Sequence, residues 1–90
     1  MQETIENLVT QYPEWSLDSN TLTGEWETAN FDELRVIVGK LCELAAELNH
    51  HPTVTYAYKT LRVETTTHDA GNKLTEIDVE LASRVSKLIE

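Results

Sequence analysis

Three histidines, His50, His51 and His68, fall within nineteen residues of a 90-residue chain, and Asp78 follows ten residues later. Histidine is the side chain whose ordinary proton equilibrium lies closest to neutral pH, so clustered imidazoles suit proton transfer to and from a bound substrate. The same atoms, with an aspartate, also suit zinc. Adjacent residues of an extended chain point to opposite faces, however, which makes His50 and His51 awkward joint ligands, and no metal is expected. The plain alternative is structural. His50 could bond the last carbonyls of a helix, His51 could be incidental surface, and Asp78 could do no more than cap a helix.

Whether the rings meet depends on the elements around them. Thr53 to Tyr58 and Leu61 to Thr67 are rich in β-branched and aromatic residues, which reads as a hairpin after Pro52. If Lys59-Thr60 is the two-residue turn, Tyr58 faces Leu61, Val54 faces Thr65, and His51 faces His68 with Cβ atoms about 5 Å apart. Val54, Tyr56, Tyr58, Leu61 and Val63 then share an apolar face. Thr53, Thr55, Arg62, Glu64 and Thr66 lie with the two rings on a polar one. A slip of one residue would send the rings to opposite faces.

Before the hairpin, Ile5, Leu8, Val9 and Tyr12 fall on one helical face between Glu3 and Tyr12, and Pro13 closes that helix. Trp15 to Leu17 and Leu22 to Trp26 alternate as two strands around Asp18-Ser19-Asn20. Asn30 and Glu33 resemble a capping pair for a long helix from Phe31 to Asn49, whose stripe runs through Leu34, Ile37, Val38, Leu41, Leu44, Ala45 and Leu48. Gly39 within it costs roughly 1 kcal/mol against alanine and is expected to let something pack closely. Thr75 precedes a last helix carrying Ile77, Leu81, Ala82, Val85, Leu88 and Ile89. The order α-β-β-α-β-β-α predicts an α+β fold, a four-stranded antiparallel sheet with helices packed on one face, and residues 1–90 are expected to form one domain.

Seven Lys and Arg against sixteen Asp and Glu give a net charge of −9, a field that repels phosphate backbones and argues against nucleic-acid binding. No apolar run approaches the roughly 20 residues of a membrane span, and the acidic start Met1-Gln2-Glu3-Thr4 lacks a signal-peptide pattern, so a soluble cytoplasmic protein is expected. The lone Cys42 excludes an internal disulfide, and its place in the helical stripe reads as a small core residue rather than a catalytic thiol.

Asn49-His50-His51-Pro52, Tyr58 six residues after the proline, Thr67-His68-Asp69 and Asp78 together resemble the signature of the pterin-4a-carbinolamine dehydratases. Leu74-Thr75-Glu76-Ile77-Asp78 with Leu81-Ala82 is similar to the start of that family's last helix. Trp15, Leu22-Thr23, Trp26 and Phe31 sit where the family has its first tryptophan and the strand leading into its long helix. The resemblance implies dehydration of 4a-hydroxytetrahydropterin to quinonoid dihydropterin, the recycling step after an aromatic amino-acid hydroxylase, with no metal or bound cofactor. It implies general acid/base roles for His50 and His68, and a binding and orienting role for His51. Asp78 would hold or polarise one imidazole, while Pro52, Thr67 and Asp69 join His51 against the pterin. A homodimer or homotetramer is also implied, in keeping with the small size of the chain.

Two departures stand out. The family usually has an acidic residue four positions before the first histidine of the pair, where this chain has Ala46; Glu43 and Glu47 could approach His50 instead or be solvated surface charges. Gly71-Asn72-Lys73-Leu74 is one residue longer than the common glycine-glycine-leucine stretch. Some relatives look like non-catalytic assembly or dimerisation factors, which tend to lose the pocket histidines. This chain keeps all three, which favours the enzyme.

Overall fold

The computed structural model describes residues 2–90; Met1, part of the acidic start, lies outside the described residues. The chain runs α1 (Gln2–Gln11), β1 (Trp15–Asp18), β2 (Thr21–Glu27), α2 (Phe31–Leu48), β3 (Thr53–Ala57), β4 (Thr60–Thr65), a single 3-10 turn (His68–Ala70) and α3 (Glu76–Ile89). The strands form one antiparallel sheet in the order β1-β2-β4-β3. The α+β fold expected from the sequence is the one observed, and among the described residues no helix is long and apolar enough to cross a membrane.

Alternation decides which side of the sheet is covered. Leu22, Leu61 and Val63 point to the helices and are buried, meeting Leu34, Ile37, Leu41 and Leu44 of α2 and Leu81, Ala82 and Val85 of α3 in one core. Trp15 joins them from the edge strand: its ring meets Trp26 edge to face with centroids 5.3 Å apart, and its Nε1 donates to Ser86 Oγ at 2.7 Å. The close fit explains Gly24, because a Cβ there would collide with the rings of Trp26 and Trp15. Gly39 differs. It is exposed with nothing near enough to meet a Cβ, so the expected close packing is absent.

The helix ends aim the histidines. Asn30 Oδ1 accepts from Glu33 N–H at 2.8 Å and starts α2. Asn49, in the left-handed region at φ 52°, ends it while His50 N–H bonds Ala45 C=O at 3.1 Å. Asparagine tolerates that conformation, so the chain turns out of the helix at once and enters β3 through His50, His51 and Pro52.

Two further expectations are corrected. Cys42 is exposed, because Leu41, Leu44 and Ala45 occupy the inward stripe and the next residue points about 100° away. The hairpin turns at Tyr58-Lys59 instead of Lys59-Thr60: Ala57 pairs with Thr60, Tyr56 with Leu61 and Val54 with Val63. Tyr58, at φ 51°, is therefore a turn residue 69% exposed instead of a member of the apolar face. The Lys59 carbonyl accepts from Thr28 N–H at 2.7 Å, and Thr60 Oγ1 donates to Ala57 C=O at 2.9 Å, which closes the turn one residue earlier. Partners along β4 thus move by two residues, and since side chains alternate with period two, the residues that remain in the strands keep their expected faces.

Candidate functional site

That parity keeps two of the histidines together. His51 and His68 line one small hollow of about 120 Å³ with Thr21, Thr53, Glu64 and Thr66, on the side of the sheet away from the helices. His51 is no longer directly opposite His68, as the predicted register had it, but the two share the face. His68 opens the 3-10 turn, and its Nδ1 lies 2.6 Å from Asn72 Oδ1. An amide oxygen only accepts, so Nδ1 carries the proton and Nε2 is left bare in the neutral ring. Asn72 belongs to the Gly71-Asn72-Lys73-Leu74 loop. With Gly71 at φ 74° and Asn72 at φ 59°, two successive left-handed residues curl the loop back toward the ring it holds.

His50 does not line that hollow; leaving α2 one residue earlier, it takes the opposite face and meets α3. Its Nε2 lies 2.6 Å from Asp78 Oδ1, with the His50 side chain 14% exposed and that of Asp78 fully buried. Asp78 Oδ1 also accepts from Thr65 Oγ1 at 2.6 Å. Its other oxygen accepts from Thr67 Oγ1 at 2.6 Å and from Thr75 N–H at 3.0 Å. Thr75 Oγ1 lies 2.8 Å from Thr67 Oγ1, whose single proton is committed to Asp78, so Thr75 donates. Burial by itself would push the Asp78 carboxyl up. The hydroxyls of Thr65 and Thr67, the Thr75 amide and His50 outweigh it and hold the carboxyl below the ordinary aspartate value.

Asp78 therefore does two things: it accepts from the Thr75 amide at the start of α3, as the sequence suggested, and it holds an imidazole 28 positions away in the chain. The carboxylates of α2 do not take that place, since Glu47 pairs with Arg84 at 3.0 Å and Glu43 lies with Lys40 and Arg84 in a groove between α2 and α3. Of the other expected contacts, Pro52 is half-buried, Thr67 turns its hydroxyl onto Asp78, and Asp69 is exposed in the 3-10 turn. Sequence reasoning missed Thr65 and Asn72. Thr65 stood in a run of three threonines as an ordinary strand former, whereas the extra length of the Asn72 loop was a visible signal with no direction attached.

Among the described residues, no three or more His, Cys, Asp or Glu side chains gather closely enough to hold a metal ion. The site offers instead one imidazole fixed by a buried anion and two on an open polar face. Imidazoles so placed can give and take protons.

Comparison with known proteins agrees in class. Residues 1–88 match the family described as pterin 4 alpha carbinolamine dehydratase. A Streptomyces coelicolor protein, provisionally named a pterin-4-alpha-carbinolamine dehydratase, is 39% identical over 97% of this chain and 85% of its own. One from Thermomicrobium roseum, under the same provisional name, is 35% identical over 94% of this chain and 90% of its own. This chain belongs to the pterin-4a-carbinolamine dehydratase family. Among solved structures, a transcriptional coactivator/pterin dehydratase from Brucella melitensis superposes with a TM-score of 0.86 at 21% identity, covering 100% of this chain and 97% of that one. A pterin dehydratase-like protein identified as a RuBisCO assembly factor in the alpha-carboxysome superposes at 0.69 with 16% identity, covering 83% and 86%. At these identities the two structures speak for the fold.

Proposed function

We propose that this chain dehydrates 4a-hydroxytetrahydropterin to quinonoid dihydropterin, recycling a pterin cofactor. The carrying observation is the combination of His50 held at 2.6 Å by a buried carboxylate with His51 and His68 in one hollow. The reaction breaks the bond from the carbinol carbon to its hydroxyl, which leaves as water after gaining a proton. The ring nitrogen beside that carbon loses a proton, and its electrons form the new carbon–nitrogen double bond. One acid and one base are needed near neutral pH, and imidazoles serve as both. His50 and His68 take these roles, and His51 orients the ring. Asp78 positions His50.

A hollow of 120 Å³ is smaller than the roughly 300 Å³ of an ordinary ligand site, so it holds one edge of the bicycle while the remainder extends past Pro52 toward His50, with Asp69 at the rim. No metal or bound cofactor is required. The protein works in the cytoplasm as a homodimer or homotetramer, and light scattering at micromolar concentration checks this; a monomer mass overturns it. Thr67 serves through Asp78 instead of touching the pterin.

The deciding experiment follows dehydration of chemically generated 4a-hydroxytetrahydropterin by ultraviolet absorbance. Wild type accelerates it, and His50→Ala and His68→Ala each lose about 10²- to 10⁴-fold. A folded wild type no faster than the spontaneous reaction would instead assign the chain to binding or assembly, the activity named for the carboxysome protein of the same fold.

A further inference from the structure

We propose that Thr65 is a positioning residue: by donating to Asp78 Oδ1, it fixes the carboxylate so that His50 is held with its proton on Nε2 and exchanges protons with substrate only through Nδ1. The proposal rests on the reading of His50 as a proton-transfer group.

Thr65 occupies an inward position of β4, after Leu61 and Val63, and its side chain is 2% exposed. Pattern alone would place valine there, which has the same shape and an equal liking for strands. A buried hydroxyl is unfavourable unless it is bonded, and the partner of this one is Asp78 Oδ1 at 2.6 Å, the length of a bond to an ionised oxygen. Oδ1 receives Thr65 and His50, and Oδ2 receives Thr67 and the Thr75 amide. The terminal torsion of aspartate is soft, and it is these donors that stop the carboxylate turning. β4 thereby sets where Oδ1 lies relative to His50. An ionised carboxylate only accepts, so His50 Nε2 carries the proton and Nδ1 is the nitrogen left for exchange.

Facing the carboxylate are His50 from the end of α2, Thr65 and Thr67 from β4 and its extension, and Thr75 from the start of α3. His50 is the titratable group among them. Without the Thr65 hydroxyl, Oδ1 loses a donor that favours its charged form. The Asp78 carboxyl then titrates at higher pH, and the carboxylate turns more freely against the imidazole.

The test compares wild type with Thr65→Val, Thr65→Ser and Thr65→Ala. Two-bond proton–nitrogen NMR spectra of the substrate-free protein report which His50 nitrogen is protonated, and carbon NMR follows the Asp78 carboxyl. Wild type and Thr65→Ser show a single Nε2–H form. Thr65→Val shows both forms and a raised Asp78 midpoint, while kcat falls by about tenfold and KM stays within about twofold. Should the valine variant fold poorly, serine and alanine share the loss of the methyl and differ only in the hydroxyl, so that pair decides. A single Nε2–H form, an unmoved Asp78 midpoint and wild-type kcat in valine and alanine variants would overturn the role of Thr65. A wild type without turnover sinks the dehydratase reading separately, and the tautomer comparison then decides the proposal.

Discussion

On the helix side of the sheet, His50 rests against a carboxylate whose oxygens are all occupied by donors from β4, its extension and α3. On the open side, His51 and His68 are exposed, and among the described residues the one side-chain bond fixing either ring is His68 to Asn72, itself a surface contact. Folding builds the first cluster, because a buried carboxylate is tolerated only when its partners are in place. The second is left with free valences for something else to fill. The difference teaches that histidines adjacent in sequence sit in different surroundings, His50 held in place by a carboxylate the fold buries and His51 open to a ligand.

The comparison breaks most visibly at Asp78. Asp78→Ala removes the acceptor of the buried Thr65, the half-buried Thr67 and a helix start, and is expected to cost about 3–5 kcal/mol in urea unfolding. A loss under 1 kcal/mol would mean the inner cluster is no more structural than the outer one. Acid gives a gentler probe. Because donors hold the folded Asp78 carboxyl below its ordinary value, its contribution to stability is present above about pH 4 and disappears as pH falls through the folded value. Urea midpoints followed from about pH 6 to pH 3 should drop, and Asp78→Asn should flatten the drop. The smallest effect belongs to the outer side, where His51→Ala should leave stability within about 0.5 kcal/mol while turnover suffers. Unfolding energies for His51→Ala near those of Asp78→Ala would erase the contrast.

Much of this organisation was legible in the sequence, and the gaps have physical causes. Asn30 and Thr75 signalled their helix starts because capping is local chemistry. The hairpin turn was misplaced because Tyr58-Lys59 and Lys59-Thr60 preserve the same alternation, and the bond that chooses between them comes from Thr28, thirty-one residues away. The face shared by His51 and His68 survived that error, since period-two parity ignores a shift of two. That Asp78 holds an imidazole was implied by the family resemblance, but which imidazole was left open, as nothing local joins the start of α3 to the end of α2. Thr65 was invisible because its hydroxyl matters only once Asp78 lies beside it, and Cys42 was read as core because it neighbours Leu41 in a stripe one residue wide.

The edge-to-face pair of Trp15 and Trp26 gives the fold a built-in optical gauge. These are the chain's two tryptophans, and the Trp15 indole bonds to Ser86 of α3, so both report on the seam where the sheet meets the last helix. α3 is also the helix that delivers Asp78. Emission and near-ultraviolet dichroism from this pair therefore track whether that helix is seated, and a variant that has lost its chemistry with an unchanged tryptophan signal has lost it without undocking α3.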